Sequence, residues 1–271
     1  MKRIIGLLVF VLLAGTAFAQ SISQSNVPAV VLNVFQLTFP NADDVKWKLE
    51  KGNYRVDYKV HSKVHRLFID NKGNVLKHTQ DLFVSEIPEV VLETIRSRVA
   101  YYDLHDADRY EEGGEITYEI NFKMDGKTHL FRINEKGELQ KFRKELKDSE
   151  IPASIMNLIN SIYGEMDIDG AKYVEEPGRT IYMLRGEIND YDHAFTFDQN
   201  ARILEHSQDL AKAEIPEAIL KAVNKSYPGY EIRDADLEEE GGKGVYILKL
   251  RKSRENIYVT FSLRGKILEV K

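Results

Sequence analysis

Ser85-Glu86-Ile87-Pro88 returns as Ser149-Glu150-Ile151-Pro152 and again as Ala213-Glu214-Ile215-Pro216, with Leu82, Leu146 and Leu210 each five residues ahead of the isoleucine. The interval is 64 residues both times, so the chain is a tandem array. Val27-Pro28 opens an earlier copy. Tyr54, Tyr118, Tyr182 and Tyr246 keep the same interval, as do Gly73, Gly137 and Gly265, with Ala201 in the place of the missing glycine. Repeat one is four residues shorter than the others between its proline and its tyrosine.

Each copy starts with helical signals. A proline at a first-turn position precedes apolar residues at three- and four-residue spacing, as in Ile87, Val91, Ile95 and Val99. The helical pattern gives way near Phe39-Pro40, Tyr101, Tyr163-Gly164 and Tyr227-Pro228-Gly229. A period of two follows: Tyr118, Ile120, Phe122 and Met124 alternate with Thr117, Glu119, Asn121 and Lys123, the pattern of a half-buried strand. Gly113-Gly114 before it and Asp125-Gly126 after it mark hairpin turns. Leu130 to Ile133 and Leu139 to Phe142 supply two further strands around the turn at Asn134 to Gly137. The expected repeat is a helix followed by about four antiparallel strands, an α+β fold.

A longer period lies above this one. Asp106-Ala107-Asp108 with Gly113-Gly114 recurs as Asp234-Ala235-Asp236 with Gly241-Gly242, and His78-Thr79-Gln80-Asp81-Leu82 recurs as His206-Ser207-Gln208-Asp209-Leu210, both after 128 residues. The expected organisation is therefore four repeats, 20–83, 84–147, 148–211 and 212–271, paired into two double-repeat units, 20–147 and 148–271. Each unit would carry a sheet of about eight strands with its helices on one face.

Residues 1–19 read as a signal peptide: a basic start at Lys2-Arg3, an apolar run from Ile4 to Leu13, and a small-residue cleavage site at Ala17-Phe18-Ala19. That places the mature start at Gln20 and implies export, to the periplasm in a Gram-negative cell. No later stretch has the length of a membrane-spanning helix. Cysteine is absent, so the fold must hold by its apolar cores, for which a 43% hydrophobic content suffices. Without Lys2 and Arg3 the chain has 36 basic residues against 43 acidic ones, a net charge of −7 that argues against nucleic acid and anionic membrane as partners.

A helix opening with Ile-Pro, an aromatic-Pro pair at its end (Phe39-Pro40, Tyr227-Pro228), a tyrosine-bearing strand and the Asp70 to Gly73 turn together resemble the PepSY-like family, and within it the secreted beta-lactamase-inhibitor-like group. The likeness runs over residues 25–271 in four copies. Repeat three departs from it at Tyr163-Gly164, which lacks the proline, and at Ala201. The resemblance implies a secreted or periplasmic protein-binding module that inhibits or regulates peptidases and has no catalysis of its own.

The residues offer few candidates for chemistry. His65, His129 and His193 share one repeat position, with Ile257 in the fourth, and fall on the strand face of Leu67 and Ile69, Phe131 and Ile133, Phe195 and Phe197. An isoleucine there favours packing at the core margin over metal ligation. Glu165, Asp167, Asp169 and Glu176, with Gly170, follow the spacing of a calcium loop, although Pro177-Gly178 stands where a helix should begin. Glu111-Glu112, Glu175-Glu176 and Glu238-Glu239-Glu240 sit beside turns and read as solvated. No nucleophile elbow or phosphate loop is present, so no catalytic residue and no cofactor are expected, with calcium as the alternative.

What remains is surface. Opposite the core face the strands carry Arg55, Lys59, Arg66 and Phe68 in repeat one, Glu119, Lys123, Leu130 and Arg132 in repeat two, and Ile247, Lys249 and Tyr258 in repeat four. Arginine and aromatic residues on an open sheet face suit a protein interface. They also suit cross-strand pairing on a solvated sheet. The sequence thus points to a non-enzymatic exported module that binds another envelope or secreted protein, a peptidase among the candidates; the alternative is a calcium- or ligand-sensing periplasmic protein using its acidic loops.

Overall fold

The structure is a computed structural model, and it describes residues 20–99, 101 and 103–271. The signal-peptide assignment lies outside the described residues. Among them the order is β1 (Gln20–Ile22), α1 (Ala29–Thr38), β2 (Asp43–Glu50), β3 (Asn53–Val60), β4 (Lys63–Ile69), β5 (Val75–Asp81), α2 (Glu89–Arg96), β6 (Asp103–Glu112), β7 (Glu115–Met124), β8 (Lys127–Asn134) and β9 (Leu139–Leu146). It continues with α3 (Ala153–Ile162), β10 (Asp167–Glu176), β11 (Arg179–Ile188), β12 (Tyr191–Asp198), β13 (Ile203–Asp209), α4 (Glu217–Ser226), β14 (Glu231–Glu240), β15 (Lys243–Lys252), β16 (Glu255–Ser262) and β17 (Ile267–Val270). One helix and four strands therefore follow each Ile/Val-Pro, in an α+β fold whose seventeen described strands belong to an antiparallel sheet.

The chain divides into two compact units. One holds the described residues up to Asn121 with Arg132–Glu138, the other Phe122–Phe131 with Leu139–Lys271, so the β7–β8 hairpin contributes to both.

The motif that sets the period has a local physical role. A short 3-10 turn precedes each helix, at Gln24–Asn26, Val84–Glu86, Asp148–Glu150 and Lys212–Glu214. In the last three the glutamate reaches back over it: the N–H groups of Phe83, Lys147 and Ala211 donate to Glu86, Glu150 and Glu214 at 2.8 Å each. The next residue, Val27, Ile87, Ile151 or Ile215, is buried. Each proline then stands one residue before the helix rather than in its first turn, with extended ψ, and its carbonyl accepts from the N–H groups three and four residues on. Proline has no N–H to leave unpaired there, and its fixed φ directs the chain into the helix.

Each helix buries two residues one turn apart: Val31 and Phe35, Val91 and Ile95, Ile155 and Ile159, Ile219 and Val223. These meet inward-facing strand residues. In the first unit Val31 and Phe35 join Trp47, Val56, Tyr58, Leu67 and Ile69; in the second, Ile155 and Ile159 join Leu184, Phe195 and Phe197, and Ile219 and Val223 join Leu248, Leu250, Val259 and Phe261. Burying one such side chain is worth about 1.5–3 kcal/mol, which offsets the poor intrinsic stability of helices only eight to ten residues long. The remaining strand residues alternate onto the other face.

The last strand of one repeat pairs antiparallel with the first strand of the next, over five rows in β5–β6, β9–β10 and β13–β14. At the start of the chain β1 takes that place beside β2, over three rows. Val270 occupies the position of Phe142 and His206, which neighbouring strands bury; on β17, which pairs with β16, it is 49% exposed.

Ala201 is in the left-handed region, φ 61°, as Gly137 is at 81°. A Cβ on Gly137 would meet Val90 Cγ2 at 2.6 Å. At the helix position corresponding to Val90, repeat three has Ser154, a smaller residue. Ala201→Gly is expected to raise the unfolding free energy by about 0.5 kcal/mol, since relief of roughly 1–2 kcal/mol of left-handed strain exceeds the entropic cost of glycine. Gly137→Ala should lower it by about 2 kcal/mol or more, because it adds the clash to that strain. Urea melts of the two variants check both signs.

Candidate partner-binding face

In the first unit, strand alternation brings Arg55, Arg66 and Phe68 onto one face, where Arg55 lies opposite Phe68 and Asp57 opposite Arg66. The arginines are held by the protein itself. Arg55 donates to both oxygens of Asp57, Nε at 3.0 Å and Nη2 at 2.9 Å, Arg66 Nε donates to Asp57 at 2.8 Å, and Lys48 Nζ is 3.4 Å from it. Burial disfavours the Asp57 carboxylate, but the hydrogen bonds from Arg55 and Arg66 outweigh that and hold it below the usual carboxylate range. Lys59 is apart from this cluster, 3.3 Å from Asp44. Arg132 Nε donates to Glu119 at 3.1 Å.

In the second unit Lys249 and Tyr258 are directly opposite, the Lys249 Nζ 5.6 Å from the ring centre, and Ile247 lies two rows away on the same face, opposite Thr260. Tyr258 is 41% exposed, as is Met183 on β11. Leu130 is 6% exposed and offers no contact area, although its alternation places it on this face. Lys123 is exposed on β7.

The calcium-loop spacing does not form a loop. Asp167 to Glu176 is one extended strand, so its two end carboxyls are about 30 Å apart and the four acids cannot surround an ion. Among the described residues no group of three or more His, Cys, Asp or Glu is placed to hold a metal. Among them, too, no helix is long and apolar enough to cross a membrane. The acidic runs are less uniformly solvated than their turns suggest: Glu239 lies 3.2 Å from His206 Nδ1, and burial raises the Glu238 carboxyl. The histidines lie deeper than a core margin, and His65, His129 and His193 are all buried.

Two carboxyl pairs on the helix-free face escape a reading of local spacing. Asp81 lies directly across from Asp108, and Asp209 from Asp236. Both stretches mark the 128-residue period, but only the strand register makes them neighbours. Burial, then the charges of Asp106 and Asp81, push Asp108 up to about 7. Burial and the charges of Asp209 and Asp234 push Asp236 up to about 7 as well. Each pair therefore holds a shared proton near neutrality.

The folded chain keeps this proton up to about pH 7, while the unfolded aspartate loses it near 3.8, so the pair's contribution to stability is present below that value and is lost as pH rises to about 7. Asp236→Asn is expected to stabilise the protein by about 1 kcal/mol at a pH of about 8 and to change little at about 4, water screening the pair below its full effect. Urea melts at the two pH values check it; an equal effect at both would contradict the shared proton.

Against known proteins, the family model described as "Putative beta-lactamase-inhibitor-like, PepSY-like" matches residues 17–77 and 188–269. No curated protein matches the sequence. Similar solved structures include a BLIP-like protein from Bacteroides fragilis, at 19% identity and a TM-score of 0.37, covering 46% of this chain and 93% of its own. A DUF2874-family protein from Bacteroides uniformis has 16% identity and a TM-score of 0.38, covering 43% and 88%. Another DUF2874-family protein, from Bacteroides ovatus, has 18% identity and a TM-score of 0.38, covering 43% and 86%. Because the family model takes in more than half of the 271 residues, the chain belongs to the PepSY-like, beta-lactamase-inhibitor-like family.

Proposed function

We propose that this is a non-enzymatic, exported protein-binding module that engages another envelope or secreted protein through the helix-free faces of its sheet. The observation that carries the reading is the placement of Arg66 and Phe68, and separately of Lys249 and Tyr258, on strand faces turned away from the helix-packed cores. Aromatic side chains with cations beside them are the residue types that dominate interface energies. Because Asp57 holds Arg55 and Arg66 in place, these side chains lose little freedom on binding. The inhibitor-like family description supports a partner that the module restrains, such as a peptidase. The leader at residues 1–19 supports a periplasmic address, and the 128-residue recurrences support a duplicated pair, 20–147 and 148–271.

Immobilised protein 20–271 should retain a discrete partner from native envelope extracts. Arg66→Glu with Phe68→Ser, folded by circular dichroism, should reduce that retention at least about tenfold, as loss of an interface anchor does. Retention unchanged by this pair and by Lys249→Glu with Tyr258→Ser would overturn the proposal.

A further inference from the structure

Two pairs of histidines, of which His65, His193 and His206 are buried and His78 is half-buried, have no part in the partner-face reading. His65 on β4 and His78 on β5 have nearly parallel rings, 16° apart, with Nδ1 of the first 3.2 Å from Nε2 of the second. His193 on β12 and His206 on β13 repeat that arrangement at the same 3.2 Å and 16°. Across the next strand pairing, His78 faces Glu111 and His206 faces Glu239.

The surroundings of the two pairs differ at one decisive position. In the first, Arg109 lies beside Glu111 and binds it at 2.8 Å, which takes that carboxylate away from His78. His78 Nε2 is also 3.2 Å from the Tyr58 hydroxyl. His65 is faced by Lys63, Asp81 and Glu86, and Lys63 donates to Glu86 at 2.6 Å. The His65 Nε2 is buried without a hydrogen-bond partner. In the second pair Leu237 holds the register position of Arg109, and Glu239 is free to lie 3.2 Å from His206 Nδ1. Tyr163 and Phe195 cover His206, their ring centres at 4.6 and 4.4 Å.

Glu239 fixes the direction of the second chain of hydrogen bonds: His206 Nδ1–H donates to the carboxylate, so His206 Nε2 accepts from His193 Nδ1–H. A proton arriving at His193 Nε2 lets the Nδ1 proton pass to His206, and the charge settles on the ring that Glu239 already holds. In the first pair a charge would sit beside Arg109, and protonated His65 would bury an N–H without an acceptor.

We propose that the histidine pairs form a graded acid sensor, in which His193–His206 takes up its proton first and stays folded on Glu239, while His65–His78 takes up its proton at lower pH and opens the core of repeat one. Burial holds His78 down to about 4, with His65 and Arg109 adding to it, and holds His193 down to about 4, with His206 adding, so in the second pair the charge rests on His206, where Glu239 counters burial. The unfolded chain takes the His78 proton near 6.5, so acid favours the open form.

Trp47, the one tryptophan of the chain, reports that opening, because it packs 5.3 Å from Phe35 in the core that contains Tyr58. Histidine-ring NMR and Trp47 fluorescence of protein 20–271 should be followed from a pH of about 8 to about 4. The His193–His206 midpoint should lie about one pH unit or more above that of His65–His78, and Glu239→Gln should lower it by about one unit without moving the Trp47 step. Arg109→Leu, which frees Glu111 for His78, should raise the His65–His78 ring midpoint and move the Trp47 step to lower pH or remove it. His78→Phe, which borrows the residue repeat two has at Phe142, should abolish the step. Coincident midpoints, a first pair that titrates ahead of the second, or a Trp47 step unmoved by Arg109→Leu would overturn the proposal.

Discussion

The structure depends on a burial constraint set by very short helices. Eight to ten residues cannot hold a helix in water, so each one exists only while its two inward residues lie on the strands that follow it. Strand alternation then fixes everything else. The residues that meet the helix are apolar, those between them point to the opposite face, and that face needs no partner of its own to complete the fold. The glutamate–isoleucine–proline motif serves this constraint by closing a turn, burying one side chain and aiming the helix in four residues.

The same junction between successive repeats appears three times with different chemistry. Where the second unit has Phe142 beside the next strand, it stacks 4.6 Å from Phe131 and 6.2 Å from His129, with no second histidine on the neighbouring position. At His78 and His206 the same space holds a histidine bonded to another histidine, and its titration is controlled by one residue of the adjoining strand. An arginine there occupies the nearby carboxylate, and a leucine leaves it for the imidazole. A duplicated backbone can thus keep its geometry while its response to protons diverges.

Local order was the part legible in the sequence. The 64-residue interval, the helix after each proline and the alternation of Tyr118, Ile120 and Phe122 are all features of neighbouring residues, and the structure has a helix and four strands after each proline. Spacing says which face a side chain takes but not which strand will lie alongside it. For that reason Asp81 could not be matched with Asp108, or His206 with Glu239, before the register was known. The burial of Leu130 and the extended course of Asp167 to Glu176 are the converse case, where a local pattern suggested an exposed anchor and an ion loop that the tertiary arrangement does not make.

The central claim is that the helix-packed side of each repeat maintains the fold while the other side meets a partner. Hydroxyl-radical footprinting of side chains tests this most directly, because backbone exchange cannot tell the two faces of one strand apart. With the retained partner bound, oxidation of Phe68, Met183 and Tyr258 should fall several-fold, while exposed Leu37 on α1 and Ile162 on α3 should react as before. Protection of Leu37 and Ile162 with Phe68, Met183 and Tyr258 unchanged would contradict the account.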